Sequence, residues 1–89
     1  MKVVWDEAKR RANLKKHGFD FADAAEVLDG VTVSIEDKRF NYDERRFVTL
    51  GLLRDILMYV VHTDNAREIR IISLRKATRH EQTHYFQNL

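Results

Sequence analysis

Residues 67–79 carry five basic side chains, Arg67, Arg70, Arg75, Lys76 and Arg79, against one acid, Glu68. A guanidinium grips two oxygens of an oxyanion at once and stays charged at any working pH, so a group of them suits a phosphate. Directly after them come His80, Glu81, His84 and Tyr85. Imidazole and carboxylate side chains can take and give protons. Charge stabilisation and proton transfer are thus available from one short stretch. A charge run is most often a solvated face; this one sits at an element boundary beside titratable groups, which favours an anion site.

The elements that position these groups are a strand breaking into a helix. In I-R-I-I-S-L-R-K-A-T-R-H-E-Q-T-H-Y (residues 69–85), Ile69, Ile71 and Ser73 alternate with Arg70, Ile72 and Leu74. One strand face therefore carries an arginine among apolar positions. Thr78 followed three residues later by Glu81 is a capping-box pattern, which starts the last helix near Arg79. Basic side chains there oppose the helix dipole and add guanidinium groups to its free N–H ends, which makes an anion site. Glu81 has two readings of equal weight, a helix cap and a proton acceptor.

Upstream, residues 3–5 form a short strand and Asp6 caps a helix over 7–17, stopped by Gly18. Ala8, Ala12 and Leu14 are this helix's apolar residues, so its outer face is basic. Asp20 caps a second helix, with Asp23 in the capping-box position, Phe19 stapled against Ala24, and Phe21, Ala24, Ala25 and Leu28 as its buried stripe. Val31, Val33 and Ile35 alternate with Thr32, Ser34 and Glu36 as a half-buried strand. A polar connection over 37–43 holds Phe40 and Tyr42, which either anchor the loop on the core or offer faces on which bases stack. Strands follow over 46–53 and 56–63, the second the most apolar and hence central. The order β-α-α-β-β-β-β-α with short turns implies a small α+β domain spanning residues 1–89. Its sheet is antiparallel, with the two N-terminal helices on one face.

Composition narrows the classes. With 44% hydrophobic residues and no cysteine, the chain reads as a folded globular domain without a disulfide framework or a Cys-ligated metal. Its N-terminus is charged too early for a signal peptide, and no run approaches the roughly 20 apolar residues of a membrane span. A cytoplasmic location is expected. The net charge is only +2 but uneven, with six acids and no Lys or Arg in residues 20–37 and five basic residues in 9–16. Such a dipolar surface can hold a polyanion on one side.

W-D-E-A-K-R-R-A-N-L-K-K-H-G-F-D-F-A-D-A (5–24), E-R-R-F-V-T-L-G (44–51) and the 69–85 stretch together resemble the BrnT family of bacterial toxins. The most specific pieces are N-x-x-K-H-G (13–18) and R-I-I-S-x-R-x-A (70–77). The resemblance implies a RelE-like fold and a ribonuclease of a type II toxin–antitoxin pair that arrests translation. It also implies mRNA, free or on the ribosome, as substrate. The expected partner is a cognate antitoxin with a ribbon-helix-helix part, which carries the complex to operator DNA. Leu74, where a small residue is expected, and His80, where the family often has another basic side chain, depart from the pattern.

Metal-free RNA cleavage needs a base for the 2′-OH, positive charge on the phosphate and an acid for the leaving 5′-oxygen. Arg70 and Arg75 are the phosphate candidates, with Glu81 and the motif's His17 as the proton-transfer candidates. Lys16, Arg79, His80 and Tyr85 are expected RNA contacts, Tyr85 also being a core candidate with Leu89. No cofactor or metal is expected. His80 and His84 have the i, i+4 spacing of two zinc ligands, but two ligands do not make a site and no HExxH accompanies them. Two rival readings remain, a module that binds RNA without cutting it and a protein-interaction domain.

Overall fold

The computed structural model describes residues 2–39, 43–65 and 67–89. Phe40 and Tyr42, the loop aromatics weighed above, lie outside the described residues. The elements are β1 (Lys2–Trp5), α1 (Glu7–His17), a 3₁₀ turn (Phe21–Asp23), α2 (Ala24–Asp29), β2 (Thr32–Asp37), β3 (Arg46–Leu53), β4 (Ile56–Asp64), β5 (Glu68–Lys76) and α3 (Arg79–Gln87). The five strands lie in the order β1-β5-β4-β3-β2. The apolar β4 is central, as its composition implies, and β2 to β5 form the antiparallel meander. The sheet is nevertheless mixed, because β1 runs parallel to β5, Val3 beside Ile69 and Trp5 beside Ile71. The long crossover that parallel neighbours need is here the rest of the chain.

Each face of the sheet has its own core. Phe21, Ala24, Val27, Leu53, Met58, Val60, Ile71 and Leu74 pack together beneath the N-terminal helices, with Trp5 and Phe19 at the margin. Gly51 sits under α2 because a Cβ there would stand 3.0 Å from both Val27 Cγ1 and Val27 O. On the opposite face Leu50, Leu57, Ala77 and Tyr85 pack together, with Val33 and Tyr59 against them. The Tyr85 hydroxyl donates to Val31 O at 2.8 Å and ties the end of α3 to the start of β2.

The second helix differs from expectation. Asp20 accepts from the Ala22 N–H at the head of a 3₁₀ turn, and α2 proper covers only Ala24–Asp29. The tighter start rotates the inward stripe, so Val27 is buried and Ala25 exposed. Strand β2 is an edge strand, and Val31 just before it and Ile35 within it are 70% and 57% exposed.

One inserted residue decides where the arginines point. Along β5, Ser73 pairs with Val61 but Ile71 pairs with His62, so Ile72 is an extra residue in the ladder. Such a bulge reverses the in–out alternation beyond it. Ile71 and Leu74 consequently share the buried face, while Arg70, opposite Thr63, and Arg75, opposite Tyr59, share the other. Strict alternation would have placed the two arginines on opposite faces.

Near that bulge Asn13 bonds α1 to the sheet. β1 ends opposite Ile71, and past that point its place beside β5 is taken by the Asn13 amide. The Leu74 N–H donates to Asn13 Oδ1 at 3.1 Å, and Asn13 Nδ2 donates to Leu74 O at 2.8 Å and to Phe19 O at 3.1 Å. Gly18, at φ 79°, turns the chain between Asn13 and Phe19 and donates its N–H to Leu14 O. Leu74 is fully buried, so its backbone groups have little water to turn to.

The helix-covered face also holds a polar chain whose hydrogens follow from its partners. His62 Nδ1 lies 3.2 Å from Thr63 O, which can only accept, so Nδ1 carries the proton. Nε2 then accepts from Thr49 Oγ1 at 2.7 Å, and Thr49 in turn accepts from Ser34 Oγ at 2.6 Å. Burial pushes the His62 pKa down, against smaller opposing effects of the Thr63 carbonyl and Asp64.

Two outcomes are expected. Asn13→Ala strands buried backbone groups and should destabilise the fold by about 2–4 kcal/mol in urea unfolding at unchanged m-value; a loss under about 0.5 kcal/mol would mean that water replaces the amide. Because folding lowers the His62 pKa, the unfolded chain takes up the proton first. Stability should be full above about pH 6.5 and fall as pH drops below it. A His62→Gln variant should lose that acid limb, and its persistence would locate the titration elsewhere.

Candidate functional site

Helix α3 opens on the capping box visible in the sequence: Thr78 Oγ1 accepts the Glu81 N–H at 3.2 Å and Glu81 Oε1 accepts the Thr78 N–H at 2.8 Å. The same carboxylate meets Arg75, whose two terminal nitrogens reach Oε1 and Oε2 at 2.9 Å each. Arg75 also lies over Tyr59, its Cζ 3.8 Å from the ring centroid. The two readings of Glu81 are therefore not exclusive, since one carboxylate caps the helix and holds the arginine. Hydrogen bonding from Arg75 is the main reason the Glu81 carboxyl is held below the usual carboxylate range, and Glu81 correspondingly raises the Arg75 pKa. The pair is about three-quarters buried, with side-chain exposures of 28% and 21%.

Beside it lies a cleft of about 330 Å³ between α3 and the outer half of the sheet. Val33, Val48, Leu50 and Tyr59 form its floor, and His80, Glu81 and His84 form the α3 wall. Glu36 and Asp37 line the β2 side and are paired with Arg45 and Arg39. His80 and His84 thus share a wall with Glu81, one helical turn apart.

Arg70 lies on the same face as Arg75, four β4 residues away, or about 13 Å at ~3.3 Å per residue. It is paired with Glu44 and shares a hollow with Asp6, Lys9 and Arg46. His17 and Lys16 line a different shallow hollow, with Lys9, Ala12, Asn13, Ile72 and Ser73. Arg79 is exposed at the head of α3.

The sheet and α3 accordingly bring Arg75, Glu81 and His80 together and set Arg70 apart along the strand. His17 and Lys16 are not in this group. Tyr85, an expected RNA contact, is instead a core residue, 2% exposed with its hydroxyl committed to Val31. Its core partners are Leu50, Leu57 and Ala77, while Leu89 is largely exposed. Tyr59, which braces Arg75, was missed because it reads as one more apolar strand position. His84 was weighed only as a zinc ligand and a generic titratable group. Among the described residues no group of three or more His, Asp or Glu is placed to hold a metal ion. Among those residues, too, no helix is long and apolar enough to cross a membrane.

The family model for the ribonuclease toxin BrnT of type II toxin–antitoxin systems matches residues 5–81. The crystal structure of the Brucella abortus ribonuclease toxin BrnT is similar with a TM-score of 0.65 at 30% sequence identity, covering 89% of this chain and 99% of that one. No curated protein sequence matches. The family match runs from the end of β1 to Glu81, through β2 to β5 and the first turn of α3, and the chain belongs to the BrnT family of type II toxin–antitoxin ribonuclease toxins.

Proposed function

We propose that the chain is a metal-independent endoribonuclease of RelE-like fold that inhibits translation by cutting mRNA, and that a ribbon-helix-helix antitoxin neutralises it. The observation that carries this reading is the Arg75–Glu81–Tyr59 arrangement on an open sheet face, with two histidines on the adjoining wall. Tyr59 and Glu81 hold the Arg75 guanidinium in place, which suits it to a phosphate whose charge grows in the pentacoordinate transition state.

The substrate phosphate takes over the N–H bonds that Glu81 occupies in the free protein. The displaced carboxylate loses the interaction that lowers its pKa, which makes it a better base beside the 2′-OH. The 2′-oxygen, having given up its proton, attacks phosphorus; the bond to the 5′-oxygen breaks, and that oxygen leaves with a proton from His80 or His84. The products are a 2′,3′-cyclic phosphate and a free 5′-OH. Arg70, further along the strand, holds a neighbouring phosphate, and Lys16, His17 and Arg79 extend the basic surface along the RNA.

A second reading, an RNA-binding module without cleavage, is favoured by the closed state of the ion pair, because a Glu81 carboxylate held by Arg75 is a weak base. Incubation with single-stranded RNA in EDTA, followed by end analysis, separates the two. Cleavage with cyclic-phosphate ends is expected in EDTA, and intact RNA retained on the protein would favour the module. Arg75→Ala should lower the cleavage rate by about 100-fold or more, with little rescue by Arg75→Lys, since lysine lacks the planar fork. Arg70→Ala should cost less and act chiefly through KM. Wild-type rates in a folded Arg75→Ala protein would remove that residue from the mechanism.

A further inference from the structure

We propose that the cleft between β2 and α3 is a subsite for one unpaired nucleobase of the RNA whose phosphate lies at Arg75. This rests on the ribonuclease reading above and adds what the site recognises beyond the sugar–phosphate chain.

The cleft adjoins the ion pair, because Tyr59 and Glu81 contact Arg75 and also line the cleft. A base attached to the nucleotide held at Arg75 is thereby brought to its mouth. The floor of Val33, Val48 and Leu50 is apolar and continues onto the Tyr59 ring, a surface for the faces of a flat heterocycle. Arg75 covers one face of Tyr59, and the guanidinium plane is itself a stacking surface for a base. The rim offers donors and acceptors in one ring: His80 and His84 on α3, Glu36 and Asp37 on β2, and Lys38 and Arg39 just after it. A rim of mixed sign suits the edge of a neutral base, which has both donors and acceptors, better than it suits a second phosphate.

Size argues for the same occupant. At about 330 Å³ the cleft is at the lower end of small-molecule sites, ~300–1,000 Å³. The cleft is also framed at both ends of α3, by Arg75 with Glu81 and by Tyr85 with Val31. A held frame of this kind favours a small rigid ligand over a partner that must wedge the helix away.

The test is methyl NMR of the full chain titrated with adenosine 3′-monophosphate and with uridine 3′-monophosphate, against inorganic phosphate. Both nucleotides should give saturable shifts at the Val33, Val48 and Leu50 methyls, while phosphate perturbs only the surroundings of Arg75. Ile35→Trp, an exposed β2 position on the cleft, should weaken nucleotide binding at least tenfold and leave the phosphate response unchanged. Nucleotide shifts no different from those of phosphate would overturn the subsite, as would cleft methyls that move only with the antitoxin. RNA cleavage without cleft shifts would refute the subsite and keep the ribonuclease reading. Cleft shifts without any RNA cleavage would do the reverse.

Discussion

Side chains on a strand alternate with a period of two, so residues five apart face opposite ways unless the ladder gains or loses a residue. The site depends on that constraint being broken once. Ile72 is inserted opposite the Val61–His62 step, and through it Arg70 and Arg75 come to share a face while Ile71 and Leu74 remain in the core. The bulge is held where strand pairing is thinnest. β1 has ended, and the Asn13 amide supplies the missing neighbour to Leu74. The N-terminal helix therefore acts on the candidate site through backbone register, without touching Arg75.

The face so produced is less apolar than an ordinary sheet face because α3 covers only part of it. Its N-terminal turn brings Glu81 to Arg75, and its buried Tyr85 closes on Leu50 and Leu57. What is left open is bordered by ion pairs: Arg75 with Glu81, Arg70 with Glu44, Arg39 with Asp37, Arg45 with Glu36. A surface with nearly balanced local charge has an electrostatic attraction for RNA that depends on which pairs open. Arg75, largely buried, is better placed than its exposed neighbours to gain from exchanging one anion for another, since the surrounding dielectric is lower there.

Much of this was legible in the residues. The capping box Thr78/Glu81 started α3 where expected, Asp6 and Gly18 bounded α1, and the apolar run of β4 marked the sheet's centre. The pairing of Arg75 with Glu81 was within reach, since both were singled out and lie six residues apart across a turn. The bulge was not legible, because an inserted Ile among Ile and Leu leaves no compositional trace. Nor was the parallel docking of β1, which local pattern cannot reveal. Val31 and Ile35 alternate as a buried face would, yet one precedes and the other lies on an edge strand that no helix fully covers. Tyr85 was open to two assignments because an aromatic one turn after Glu81 fits a core and a binding surface equally well. The motif residue Asn13 was noticed for its company with Lys16 and His17, and its actual work lies in the backbone bonds to Leu74 and Phe19.

The bonds that close this fold span long stretches of chain. β1 pairs with β5, Asn13 reaches Leu74 across 61 residues and Tyr85 reaches Val31 across 54. A chain emerging from its N-terminus makes β1 and α1 first, but they have no sheet edge to join until residues 68–74 follow, and α1 is too short and polar to persist alone. Folding of this domain thereby waits for β5. For a protein whose proposed target is the message being translated, the growing chain holds no assembled site until β5 and α3 have both been made.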